Sequence, residues 1–203
     1  EYGYNGPWEQ QKTLWGAPIE PTSTKKAEQY IERYNSHIKN NKQSIGDLAF
    51  YWGQKQERTH TWFSIFDKEE QTSEVFYSLN QLWGGQRIKA KYPPKLNYML
   101  IDGLGAKDNL VYKPNKKKTA ELFFENDHNP SYKFVWEVYA EAWDYNQTDI
   151  EKDPVKISRD SVVANSSYAF KTPSEPGPYR IFVYVYDSFG NFATTNTPFY
   201  VLK

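Results

Sequence analysis

The octapeptide Tyr179-Arg180-Ile181-Phe182-Val183-Tyr184-Val185-Tyr186 decides the fold class of its surroundings. Positions 181, 183 and 185 are aliphatic, and positions 180, 182, 184 and 186 carry an arginine and three aromatic rings. A strand turns successive side chains to opposite faces. The alternation therefore predicts a strand whose aliphatic face lines a core and whose other face is half-exposed. Glu175-Pro176-Gly177 before it and Phe189-Gly190-Asn191 after it supply turns at both ends.

Working outward, the same texture fills residues 95–203. Short aromatic and β-branched runs at 96–101, 110–112, 119–124, 134–140, 155–157, 168–170 and 192–201 are separated by turn pairs such as Asp102-Gly103, Asp108-Asn109 and Asn129-Pro130. About seven strands in about 100 residues is the pattern of an immunoglobulin-like β-sandwich. The basic segment 86–94, ending in Pro93-Pro94, reads as a linker.

Upstream the periodicity changes. Residues 1–22 are extended and rich in Gly, Pro and Trp. Ser23 and Thr24 are N-cap residue types, and Ala27, Tyr30, Ile31, Tyr34 and Ile38 recur at helical spacing, with Asn40-Asn41 as the stop. The apolar run 48–52 reads as a buried strand, 53–61 as a loop, 61–66 as a turn or small strand, and 72–83 as a second helix stopped by Gly84-Gly85. Loop, helix, strand, loop, helix suits a parallel βα arrangement. The expected fold class is thus an α/β segment, the last βα units of a TIM-type barrel, over 1–85, plus an all-β immunoglobulin-like sandwich over 95–203.

Composition bounds the partners. The 25 basic and 25 acidic residues cancel, which removes any general attraction to nucleic acid or anionic lipid. Seven Trp, 17 Tyr and 12 Phe supply large apolar areas for a core, and exposed rings of this kind stack on sugars, making carbohydrate the expected partner. No cysteine is present, which excludes disulfides, thiolate metal sites and cysteine nucleophiles. No run is apolar and long enough for a membrane span. His37 and His60 lack metal-ligand spacing, and neither a metal nor a cofactor is expected.

Two resemblances refine this reading. Gly177 to Asn191, with Trp136 on an upstream strand, resembles the penultimate strand and turn of PKD-type and related immunoglobulin-like domains. The series Glu1-Tyr2-Gly3-Tyr4-Asn5-Gly6-Pro7-Trp8-Glu9, Trp15-Gly16-Ala17-Pro18, Phe50-Tyr51-Trp52-Gly53-Gln54-Lys55-Gln56-Glu57-Arg58 and Thr61-Trp62-Phe63 resembles the C-terminal end of a retaining glycoside hydrolase (β/α)8 barrel. That resemblance implies Glu1 as nucleophile, and Trp52, Trp8, Gln54, Lys55, Glu57 and Arg58 around a sugar site. Retaining hydrolysis needs a second carboxyl about 5 Å away, and the resemblance puts that residue on a strand this chain does not contain.

Each of these residues also has a plainer reading. Glu1 is equally a solvated terminal residue, Trp52 a core residue at a strand end, and Glu57-Arg58 a salt-bridged or solvated pair. Three functions follow: the C-terminal part of a secreted, periplasmic or cell-surface hydrolase of β-linked saccharides; a non-catalytic carbohydrate-binding or surface-interaction protein; or a spacer. The isolated chain is expected not to hydrolyse glycosides. The apolar faces of its first segment are expected to pack on the sandwich, on another chain, or on the remainder of a parent barrel.

Overall fold

The computed structural model describes residues 1–85, 92–125, 131–141, 153–163 and 165–203. In chain order, helix α1 spans Ser23–Arg33 and runs on into a π-helical turn over Tyr34–Ile38. Strand β1 is Gln54–Glu57, β2 Thr59–Ser64, and helix α2 Glu74–Leu82. Then come β3 Leu96–Ile101, β4 Val111–Tyr112, β5 Lys117–Phe124, β6 Lys133–Ala140, β7 Val155–Val163, β8 Ser167–Lys171, β9 Gly177–Tyr186 and β10 Phe192–Val201.

One sheet has the order β4-β10-β9-β6-β7 and a second has β3-β5-β8. Their facing residues share one core. Ile181, Val183 and Val185 of β9 meet Trp136 and Val138 of β6, Leu96, Met99 and Ile101 of β3, and Phe170 of β8 in it. The aliphatic face of the 179–186 octapeptide is therefore inward.

Its other face is not half-exposed. Arg180, Phe182 and Tyr184 are buried as well, because residues 17–23 and the β1–β2 hairpin lie over them. The Arg180 guanidinium donates to the Pro18 carbonyl at 2.8 Å, and His60 of β2 packs on Phe182 with ring centroids 4.6 Å apart. A further cluster, of Tyr4, Tyr30, Trp62, Phe63, Ile65, Val75 and Leu79, fills the space under α1 and α2. The five-stranded sheet is thus the middle layer of a predominantly β structure.

This corrects the expected fold class. The only regular strands of the first 85 residues, β1 and β2, form an antiparallel hairpin, with Glu57 opposite Thr59 and Arg58 at the tip. Parallel barrel strands need crossovers of a dozen or more residues, and one residue cannot provide one. The run 48–52 contributes only a single bridge, Ala49 to Tyr2. Neither barrel βα units nor a free-standing immunoglobulin- or PKD-like sandwich describes the chain, because both faces of the large sheet are covered from within it. The expected turn at Asn129-Pro130 and most of the linker, 86–91, lie outside the described residues. No helix among the described residues is long and apolar enough to cross a membrane.

The helix ends follow their sequence. Thr22, one residue before the expected caps, accepts the Lys25 amide at 3.2 Å, and Thr24 instead accepts the Leu96 amide at 2.9 Å, fastening the start of α1 to β3. At the end of α2, Gly84 takes φ +78°. Its amide bonds the Gln81 carbonyl and the Gly85 amide the Asn80 carbonyl, the paired closure of a Schellman motif. That closure turns the chain at Trp83.

Candidate functional site

Two surfaces concentrate chemistry, one on each side of the segments 52–54 and 65–67. These segments run together: the Gly53 carbonyl accepts the Ile65 amide at 2.9 Å. Adjacent residues diverge from there. Phe66 turns to Trp52, whereas Asp67 and Gln54 line a cleft with His60.

The first surface is aromatic. Trp52 and Trp83 stack with centroids 5.9 Å apart and planes 27° from parallel. They are 53% and 44% exposed, far above the core rings, and Tyr51 beside them is 42% exposed. Phe66 and Phe76 back Trp52 at 5.4 and 5.9 Å. The Trp83 indole N–H donates to Asp47 Oδ1 at 2.6 Å, which fixes the ring's azimuth. Tyr51 adopts φ 55°, a left-handed conformation costly for a bulky residue. A Cβ at Gly53 would stand 3.2 Å from its ring, so the small residue lets Tyr51 fold back over the chain. The result is a rigid, water-facing aromatic surface on two elements.

The second surface is polar. β6 presents Val135, Glu137 and Tyr139, β9 presents Tyr184 and Tyr186, and the 67–71 loop and His60 form the wall. Glu137 is buried, yet it accepts the Tyr139 hydroxyl at 2.8 Å and pairs with Lys156 at 2.8 Å and Arg159 at 3.4 Å. His60 Nε2 is hydrogen-bonded to the Tyr184 hydroxyl. Burial among Tyr139, Phe182 and Tyr184 pushes the His60 imidazole down to about 4, so it is neutral at pH 7. Burial raises the Asp67 carboxyl above its usual range. Among the described residues no group of three or more His, Cys, Asp or Glu is arranged to hold a metal ion.

Apart from these surfaces the chain holds a buried ionic network. Lys26 Nζ meets Glu20 Oε1 at 2.5 Å and the Thr61 carbonyl at 2.6 Å, and Glu20 Oε2 accepts from Thr59 and from the Asn196 amide, each at 2.6 Å. Arg180 donates to Asn196 Oδ1 at 2.7 Å and pairs with Glu141. Burial would raise the Glu20 carboxyl, but the Lys26 ammonium outweighs it and holds the group below its ordinary value. All of these groups find partners within the protein, which marks the network as structural.

The sequence-expected residues scatter over this geometry. Trp52 stands at the centre of the aromatic surface. Gln54 faces the cleft and donates to the His60 carbonyl at 2.9 Å. Glu57 is buried and paired with Lys55 at 3.0 Å, inside the hairpin and away from solvent. Arg58 holds the hairpin tip at φ 64°. Trp8 is exposed and packs across Gly6, where a Cβ would come within 2.5 Å of its ring, and it does not join the Trp52 cluster. Glu1 is exposed, next to the Tyr2–Ala49 bridge. Its nucleophile role rested on the barrel resemblance, which the antiparallel hairpin overturns.

Sequence reasoning left out Trp83, Asp47, Asp67 and Glu137, and set His60 aside as isolated. Trp83 had one signal, a tryptophan directly before the Gly-Gly helix stop. The others are brought together only by pairings distant in the chain.

No protein-family model matches the chain, and no curated protein does. Among solved structures, the chain is similar to the PmoD soluble domain from Methylocystis sp. ATCC 49242 (Rockwell), at 10% identity and a TM-score of 0.34, over 54% of this chain and 98% of that one.

Proposed function

We propose that the chain is a non-catalytic binding protein whose Tyr51–Trp52–Trp83 surface stacks on a β-linked saccharide. One observation carries the reading: two stacked tryptophans, each about half exposed, are braced by Phe66, Phe76 and the Asp47 hydrogen bond. Leaving this much ring in water forgoes hydrophobic stabilisation, and a bound apolar face recovers it. The axial C–H faces of β-linked glucosyl or mannosyl units are flat and apolar, and they leave the equatorial hydroxyls in water. Neutral overall charge suits an uncharged ligand. Such polymers lie outside the cytoplasm, so an exported or surface location goes with the reading.

Titration of tryptophan fluorescence with cellohexaose and mannohexaose tests it. Trp52→Ala and Trp83→Ala are each expected to weaken binding about tenfold, or about 1.4 kcal/mol, with secondary structure unchanged. Absence of any spectral change at millimolar saccharide, or equal binding by the double variant, would sink the idea.

A further inference from the structure

A notch with about 590 Å³ of free volume opens at the edge of the sandwich, apart from both surfaces above. Its size lies within the range of small-molecule sites. Asn97, Tyr98, Met99 and Leu100 of β3 line one side, and Thr195, Asn196 and Thr197 of β10 another. Successive side chains of a strand point to opposite faces. A cavity that touches every residue in turn therefore lies against the strand's edge and meets its main chain.

Both edges are turned toward the notch. β3 is an outer strand of its sheet. The Leu122 amide bonds the Ser166 carbonyl, away from β3, so Met99, which stands opposite Leu122, turns its N–H and C=O away from β5. On β10 the Thr194 amide donates to Ser23 Oγ and the Tyr200 amide to the Leu110 carbonyl, both on the side away from β9. Asn196 has the same parity and turns its N–H and C=O that way as well. The Met99 side chain is in the sandwich core and the Asn196 side chain in the ionic network. What these two residues offer the notch is main chain.

The open edges are short. Thr22 and Thr24 occupy the Leu96 carbonyl and amide, and Leu104 pairs with Ile101, which leaves Met99 between them. On β10, Ser23 closes the edge at Thr194, Pro198 has no N–H, and β4 begins opposite Tyr200. Each side offers one donor–acceptor pair in strand geometry. A flat heterocycle matches one such edge. A peptide strand carries these pairs on both of its edges, on alternate residues, so successive residues meet Met99 and Asn196 in turn. Most of the charge lining the notch is already engaged: Lys25 pairs with Glu28, Asp108 accepts the Gly105 amide, and Glu20 is held by Lys26. Ile19, Pro21, Leu100 and Ala106 suit apolar side chains. This chemistry fits an uncharged, internal stretch of chain rather than a charged terminus.

We infer that the notch between β3 and β10 binds an extended, uncharged peptide segment of a partner protein, about three residues long, by strand addition to Met99 and Asn196. The site shares no residue with the Trp52–Trp83 surface and stands whether or not that surface binds a saccharide.

NMR titration of the isotope-labelled full chain with the blocked peptides Ac-Thr-Val-Thr-NH2, Ac-Val-Thr-Val-NH2 and Ac-Leu-Thr-Leu-NH2 tests this. At least one of them is expected to bind in the millimolar range or tighter and to shift the Met99 and Asn196 amide resonances. N-methylation of the peptide's amides removes its donors, and a loss of about tenfold or more is expected. Ala106→Trp fills the notch and is expected to weaken binding as much. Asn97→Trp, at an exposed position, is the second variant, should Ala106→Trp disturb the fold by circular dichroism. The Trp52→Ala/Trp83→Ala chain is expected to bind the peptide unchanged. No shift of either amide by any of the three peptides at about 10 mM, beyond the millimolar affinity expected, would overturn the assignment. So would equal binding of the N-methylated peptide, or binding that both notch variants leave intact.

Discussion

His60 is neutral in the fold because water is excluded around it, and that neutrality has a direction in pH. From its ordinary value of 6.5 down to about 4, the unfolded chain takes up a proton that the folded chain refuses. Stability is therefore full above pH 6.5 and falls as the pH drops through this window, by up to about 3 kcal/mol. Glu20 and Glu137 work to raise the imidazole, Lys68 and Lys156 to lower it. Urea melts from pH 7.5 to 4.5 are expected to show a steeper acid loss for the native chain than for His60→Phe; equal slopes would refute the assignment. Lys26 makes a second case. Replacing it with Met leaves Glu20 charged and buried, at a cost of about 3–5 kcal/mol. Lys26→Met with Glu20→Leu is expected to cost less than the sum of the single changes, read in a double-mutant cycle.

At the scale of elements, the loop of residues 67–71 turns through Glu70, an exposed residue at φ 62°. A left-handed conformation costs a non-glycine residue about 1–2 kcal/mol, and glycine returns part of that gain as chain entropy. Glu70→Gly is expected to stabilise the protein by about 0.5–1 kcal/mol in urea melts, whereas Glu70→Ala is not. Strands with an internal alternation were legible in sequence: β9, β10 and β6 lie within a few residues of expectation. The β1–β2 hairpin was not. Gln-Lys-Gln-Glu is polar with no alternation, and its tip is an arginine rather than the Asn-Gly that announces a tight turn. The buried polar face of β9 was illegible for another reason. Arg180 reads as a surface residue until Glu141, Asn196 and the Pro18 carbonyl converge on its guanidinium, and only the last lies in the segment that covers it.

Across the whole molecule, the division proposed at residues 86–94 separates two lengths of chain joined by dense polar contacts. Besides the Lys26–Glu20–Asn196 network, Tyr77 donates to Asn191 at 2.6 Å and the Thr194 amide donates to Ser23 Oγ at 3.1 Å. A chain nicked within 86–94 is expected to elute as one species in size-exclusion chromatography and to separate only in denaturant. A free 95–203 fragment in native buffer would show that these contacts do not hold the halves together. The candidate site was legible in part for the same reason. Trp52 announced itself locally, but its partner Trp83 and the meeting of Asp67 with the β6–β9 face depend on how distant segments dock.

That docking also sets an order in time. Glu20 finds Asn196 across 176 residues, and Ser23 finds Thr194 across 171. On the ribosome the first segment emerges long before the final strand that receives it. At roughly 5–20 residues per second it waits on the order of ten to thirty seconds, with the contacts of Glu20 and Ser23 to β10 still unmade. The position of a single carboxylate near the front of the sequence thus makes the last step of assembly wait for β10.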